Sequence, residues 1–384
     1  MTTFGPIFVP AAIREAVADA AWLAAMLDAE RALASAEARV GAVPADAAAT
    51  IAQECEPGRF DLDALLEQGR RVGNPAEPLV RALRDRVGGD AAQWVHYGAT
   101  SQDVLDTAAM LVARRATGLL VGELDGAAAA CARLAEEHRE TSMAGRTLLQ
   151  QAVPTTFGAK AAAWLIALQV PLERLREYPF LAQLGGAAGT LAPLRERGIE
   201  VSAAFADELG LRAAPLPWHA LRGPWADLGA LLDRAAQACA KVGLDVVLLA
   251  QTEVGEVAEA EGGGSSTMPH KRNPVLAVLA RACARIVHAN AGVLATGEHE
   301  HERAAGPWQA EWTALSEALA HAGGAAAAVR ECLDGLEVFP ERMRANMRPE
   351  LYGERDRLAL EDEEYLGSAR AFVDAALARR AGPR

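Results

Sequence analysis

The chain has 384 residues, 51% of them hydrophobic and 23% charged, with a formal net charge of −13. That is enough apolar material for a large buried core and for more than one folded region. The acidic balance excludes the broad basic face that nucleic acid or an anionic bilayer requires, so any anion must be bound locally.

The N-terminus, MTTFGPIFVP, lacks the basic and apolar regions of an export signal, and no uncharged apolar run reaches the length of a bilayer span. Cys55, Cys131, Cys239, Cys283 and Cys332 are odd in number and widely spaced, without zinc spacing, which reads as reduced thiols. The expectation is a cytoplasmic protein with no membrane and no nucleic-acid partner.

Alanine is abundant and Val/Ile/Thr alternation is scarce. Apolar residues recur three and four apart, as in Ile13, Val17, Trp22, Met26 and Leu33, the period of a helix. Further helices are expected after Thr100-Ser101 and after Pro154-Thr155, the latter interrupted at Pro171. Gly223-Pro224 opens a segment running to Val257, about 30 residues or roughly 45 Å at helical rise. Another helix starts after Asn273-Pro274 and carries Leu276, Leu279, Ile286, Val287 and Val293. Helices this long cannot bury their apolar stripes alone, so the predicted fold is all-α, an elongated bundle open to completion by other subunits. The expected division is an N-terminal helical domain over 1–100, a central helix bundle over 101–335 and a short charged C-terminal region over 336–384.

Five stretches can carry chemistry. WVHYGATSQDVLDT (94–107) reads structurally as a helix start, with Thr100 and Asp103 in a capping box and His96 packed in a loop. Functionally, the same turn offers the Thr100 and Ser101 hydroxyls and free amides to a carboxylate. GRTLLQQAVPTTFG (145–158) sets Arg146, Thr147, Gln150 and Gln151 among apolar neighbours, ahead of a proline expected to open a helix. These polar groups form either a pocket wall or amides satisfied by backbone. PWHALR (217–222) and the stretch 298–312 supply Arg222, His299, His301 and Arg303; His299 and His301 are two apart, not the helical turn apart that a metal pair needs.

GGGSSTMPHKRNP (262–274) reads structurally as a flexible connection followed by an Asn273 cap, with Pro274 at the first helical position and His270, Lys271 and Arg272 solvated. Together these residues also set a hydroxyl pair, a cationic run and a helix N-terminus within a few positions, which suits a loop closing over a carboxylate. Moving a proton on or off the carbon beside a carboxylate adds charge to a group already ionised, which demands preorganised cations and N–H donors in a dry site. Lys271, Asn273 and the loop amides are the donors, and Ser265, its ionised form favoured by the ammonium, exchanges the proton. No P-loop, dinucleotide fingerprint or Gly-x-Ser-x-Gly elbow is found.

GSSTMPHKRNP, HYGATSQD and GRTLLQQAVPTTFG resemble, in the same chain order, the three active-site segments of the fumarase/aspartase superfamily, and the resemblance extends over about residues 1–345. It implies an all-helical homotetramer with a shared central bundle, in which each active site takes one segment from each of three subunits. It also implies a small polycarboxylate substrate and no cofactor. Position by position, the family's catalytic serine falls on Ser265, its carboxylate ligands on Lys271 and Asn273, and its other anion-binding turn on Thr100 and Ser101.

Leu148 stands where the adenylosuccinate lyases of that superfamily place a general-acid histidine. GNPAEPLV (73–80), PWHALR and EHERAAGPWQAEW are similar to the cycloisomerase branch, which lactonises a carboxylated cis,cis-muconate in protocatechuate breakdown. In that chemistry the substrate's own carboxylate attacks a double bond while Ser265 gives one proton to carbon, so a second acid is not needed. Thr147, Gln150, His96, Arg222, His301 and Arg303 are assigned to the remaining carboxylates. The alternatives are a superfamily C–N lyase acting on an adenylosuccinate- or nitrosuccinate-type substrate, and a non-catalytic helical scaffold. The resemblance also marks one departure. The chain passes quickly from MRANM (343–347) to EYLGSARAFVDAAL (364–377), which abridges a third helical domain that helps cover the site.

Overall fold

A computed structural model describes residues 4–260, 263, 264, 268, 271–297 and 299–382. Two short helices, α1 (Gly5–Phe8) and α2 (Ala11–Ala16), precede α3 (Asp19–Val40), α4 (Ala45–Glu54), α5 (Leu62–Val72) and α6 (Ala76–Val87). The stripe Ile13 to Leu33 is therefore split: α2 closes at Ala16, Ala18 is extended, and Asp19 opens α3 with a carboxylate in its first turn, where the helix dipole favours it. Gly41, at φ +76°, stops α3.

The long helices come next. α7 (Ser101–Glu137) has 37 residues, about 55 Å at helical rise. The expected proline-opened helix is instead an antiparallel hairpin, β1 (Ser142–Thr147) and β2 (Gln150–Thr156), with Pro154 in β2 opposite Ala144. The cap lies two residues after the proline, where Thr156 accepts the Ala159 N–H at 3.1 Å and starts α8 (Phe157–Arg176). This helix runs through Pro171 without a break.

A parallel pair, β3 (Leu181–Ala182) and β4 (Arg212–Ala213), flanks α9 (Gly198–Leu209). α10 (Gly223–Leu249) begins where the Gly-Pro pair predicts but ends eight residues short of Val257, which lies in β5 (Val257–Glu259). β6 (Gly263–Gly264) pairs with β7 (Arg272–Asn273), and then come α11 (Val275–Leu294) and α12 (Pro307–Asp334). β8 (Leu336–Val338) pairs with β5 ahead of α13 (Pro340–Asn346), α14 (Gly353–Leu358), α15 (Asp362–Tyr365) and α16 (Ala369–Ala381).

α11 packs on α10 and α12, while α7 lies between α12 and α8. Alanine lines these contacts, including Ala108, Ala113, Ala235, Ala280 and Ala325, all buried. At Gly324 a Cβ would meet the Phe8 carbonyl oxygen at 2.4 Å, so glycine is what lets the N-terminal arm lie on α12. By length and composition α11 passes the test for a membrane span, yet it carries Arg281 and Arg285 and packs in the bundle. α16 returns onto α8, with Arg379 on Glu173 at 2.7 Å, and its Asp374 meets Arg139, just past the end of α7, at 2.5 Å.

Candidate active site

The first turns of α7 carry polar residues that are almost wholly buried, Gln102, Asp103, Asp106 and Thr107. Asp103 Oδ2 accepts the Thr100 N–H at 3.0 Å, the predicted cap contact, and also the Gly186 N–H at 2.9 Å. Its Oδ1 accepts from Gly185 N–H at 2.9 Å and His219 Nε2 at 2.7 Å. Four donors replace water around this carboxylate. It thereby ties the Thr100-Ser101 turn to two distant segments. Gly186, at φ +69°, sits so close that a Cβ there would meet the Gly98 carbonyl oxygen at 2.8 Å.

His96 lies just upstream in a left-handed conformation, φ 60°, which a non-glycine residue adopts only when its surroundings hold it there. The restraint is visible: its Nδ1 is 2.6 Å from Glu30 Oε1, and the Glu30 side chain is fully buried. Burial alone would lower the imidazole pKa. The Glu30 charge and hydrogen bond, with Asp103 behind them and Arg84 opposing, outweigh it and hold the pKa above the ordinary value.

Arg222, expected to bind a substrate carboxylate, faces protein carboxylates instead. Its side chain is 1% exposed. Nη1 donates to Asp106 Oδ2 at 2.7 Å, Nη2 to Asp106 Oδ1 at 3.0 Å, and Nε to Glu311 Oε1 at 3.1 Å. The guanidinium also lies over Trp218 and Trp225, 5.0 and 5.7 Å from the ring centroids. Trp308 Nε1, Gln102 Nε2 and Gln183 Nε2 also donate to Asp106, at 3.1, 3.2 and 3.4 Å. The His299 ring is buried 3.3 Å from Glu311; burial and then the Arg222 charge hold its pKa down. Arg303 donates to the Gly186 and Ala187 carbonyls at 2.8 and 3.0 Å, so it docks on the segment that Asp103 pins. His301 is exposed, at φ 45°.

The hairpin tip presents Thr147, Leu148, Leu149 and Gln150 to solvent. Leu148 and Leu149 are 96% and 75% exposed, at φ 50° and 64°. Below the tip, Arg146 forks onto buried Glu256 at 2.6 and 3.0 Å, and Asn346 Nδ2 adds a bond to Glu256 at 2.9 Å.

Ser265 and His270 lie outside the described residues. The neck of their loop is described: Gly263 pairs with Asn273, whose Nδ2 donates to the Gly263 carbonyl at 2.9 Å. Asn273 was expected to cap α11. That place is filled from β5, since the buried Glu259 carboxylate accepts the Leu276 and Ala277 N–H groups at 3.1 and 2.9 Å. The helix end expected to attract a substrate anion is thus already neutralised by the protein. Lys271 is exposed beside it.

Among the described residues no hydrogen bond or ion pair joins Thr100-Ser101, Thr147 or Gln150, and Lys271-Asn273 to one another. The buried carboxylates that organise this region form no sequence motif, because each is an ordinary acidic residue in a helix or strand. Their one local signal is Asp103 and Asp106, three apart on an otherwise apolar face.

A family model described as Lyase matches residues 11–288. The chain is 49% identical over 362 residues to nitrosuccinate lyase of Streptomyces davaonensis, covering 89% of this chain and 76% of that protein. It is 44% identical over 360 residues to 3-carboxy-cis,cis-muconate cycloisomerase of Bradyrhizobium diazoefficiens, covering 90% and 80%. The crystal structure of the 3-carboxy-cis,cis-muconate lactonizing enzyme from Pseudomonas putida superposes with a TM-score of 0.90 at 33% identity, over 99% of each chain.

Proposed function

The chain belongs to the fumarase/aspartase superfamily of lyases, and from that premise we propose that it closes 3-carboxy-cis,cis-muconate to 4-carboxymuconolactone as a cycloisomerase. The observation that carries this reading is the hairpin tip, Thr147-Leu148-Leu149-Gln150, which has no ionisable side chain where expulsion of an amine demands an acid. In lactonisation the attacking oxygen belongs to a carboxylate already ionised at neutral pH. A C–O bond forms as the double bond opens, the electron pair moves to the carbon beside a second carboxylate, and Ser265 delivers a proton there. Lys271, Asn273 and the Thr100-Ser101 turn take up the charge that accumulates on that carboxylate.

A second reading is favoured by the 49% identical nitrosuccinate lyase. Nitrite is itself a stable anion, so its departure needs no acid at 148 either, and Ser265 then works in reverse as the base. Thr147, Gln150, His96, His301 and Arg303 are proposed ligands for the other carboxylates. Arg222 is kept as a structural cation.

Among the described residues no hydrogen bond or ion pair joins the three segments within one chain, which supports a homotetramer with shared sites. So does α11, on which Val275, Val278 and Val293 are 39%, 48% and 38% exposed. A division at 100 and 335 is proposed, supported by the start of α7 at Ser101 and the end of α12 at Asp334.

The test is an ultraviolet assay of the muconate diene, run beside nitrite release from nitrosuccinate and adenylosuccinate cleavage. Loss of the diene absorption supports the first reading, nitrite supports the second, and consumption of none supports a scaffold. Ser265→Ala is expected to abolish nearly all turnover with modest effect on substrate binding, and normal turnover removes the serine from the mechanism.

A further inference from the structure

The His96–Glu30 pair is not accounted for by folding alone. Glu30 sits on α3, inside the N-terminal domain, and a carboxylate there with no partner would be strongly unfavourable. Among the described residues its Oε1 meets only His96, while Oε2 has no hydrogen-bond partner. The imidazole it holds is in strained backbone four residues before the N-cap of α7, and is 11% exposed. Among the described residues His96 Nε2 has no protein partner, and it is absent from the buried unpartnered atoms, so the open part of the ring includes this nitrogen. One ring nitrogen is clamped from within and the other is left open, in the loop that leads into the Thr100-Ser101 turn four residues later.

We propose that Glu30 is a positioning residue of the active site: it grips His96 Nδ1 so that Nε2–H stands at the Thr100-Ser101 turn as a cationic donor for a substrate carboxylate. This rests on reading that turn as a carboxylate site. The groups facing His96 are Glu30 from α3, Asp103 from α7 and Arg84 from α6, whose own Nη2 is bound to the Val95 carbonyl at 3.1 Å. Two carboxylates against one guanidinium leave the imidazole in a negative field, which favours its charged form. A neutral histidine would offer one weaker donor at Nε2 or none, depending on its tautomer.

The experiment compares wild type with Glu30→Gln, which keeps the size and removes the charge. In the wild type KM is expected to stay level past pH ~6.5, the ordinary histidine value, and to rise only when His96 loses its proton. In Glu30→Gln the rise begins at lower pH, KM at pH 7.5 is about tenfold higher, as for loss of one charge-assisted hydrogen bond, and kcat stays within about twofold. A purely structural role would lower the active fraction and the melting temperature without moving the pH at which KM rises, and that result overturns the proposal.

Imidazole nitrogen NMR of the 15N-histidine-labelled wild type, with the His96 signal assigned by its loss in His96→Gln, gives a readout that needs no substrate. His96 cationic above the ordinary range supports the clamp; titration at or below it overturns the clamp. If the wild type consumes neither candidate substrate, the functional reading fails, and the NMR result still decides whether Glu30 holds His96 charged.

Discussion

Arg222 is forked onto Asp106, with Nη1 2.7 Å from Oδ2 and Nη2 3.0 Å from Oδ1, in an enclosure that also brings Glu311 against its Nε. One cation thus serves two buried carboxylates. Burial pushes the Glu311 pKa up even though Arg222 pulls it down, the mark of a carboxylate that depends on its partner. Arg222→Met leaves both buried acids without a cation, and is expected to lose about 3–5 kcal/mol of stability in urea unfolding. An unchanged urea midpoint with a raised KM would instead make Arg222 a substrate ligand.

The starts of the long helices were legible because their signals are local. Thr100 with Asp103, Gly223-Pro224 and Asn273-Pro274 all mark a helix start to within two residues. The hairpin was not. A two-residue turn with positive φ at both centres calls for Asn-Gly or similar, and Leu148-Leu149 gives no such sign, so the surrounding fold sets the turn against local preference. The three motif loops were legible as composition, yet their mutual placement depends on which helices pack together. The cap on α11 illustrates the limit: Asn273 is adjacent and chemically suited, but Glu259, fourteen residues earlier in sequence, is brought there by the β5–β8 pairing.

Lys271 is exposed, and among the described residues no carboxylate pairs with its ammonium. Its removal should therefore leave the fold intact. Lys271→Ala is expected to stay within about 0.5 kcal/mol of wild type in urea unfolding. Its turnover should fall about 100- to 1,000-fold, the usual loss when a donor to a developing oxyanion is deleted. Calorimetry together with the diene assay checks both halves, and full activity would take the lysine out of the site.

Glu259 does the opposite work, stabilising a helix end rather than substrate charge. Its carboxylate takes the Leu276 and Ala277 N–H groups, while its backbone oxygen accepts Arg272 Nη2 at 2.9 Å. Glu259→Ala strands two amides and is expected to lower stability by about 1–2 kcal/mol, as for loss of an N-cap. Because the same carboxylate holds the first turn of α11, which directly follows the Arg272–Asn273 strand of the neck, kcat should fall with it. Hydrogen exchange at Leu276 and Ala277 locates the effect, and unchanged protection there would mean that water replaces the cap.

Glu37, on the same helix as Glu30, is buried with neither carboxyl oxygen partnered among the described residues, and burial, then the charge of Glu30, pushes its pKa up to about 9 from an ordinary 4.5. The sign of the consequence follows from proton counting. The unfolded chain releases this proton near pH 4.5, whereas the folded chain keeps it to about pH 9, so between those values the native state holds one more proton and loses stability as pH rises. The decline is at most about 1.4 kcal/mol per pH unit for one proton. Glu37→Leu, of similar size and without the orphaned oxygens, removes both the slope and the unpaired polar atoms. Its urea midpoint is expected to match or exceed wild type at pH 5 and to pull progressively ahead toward pH 9, and midpoints that run parallel across that range would mean that Glu37 is ionised in the fold.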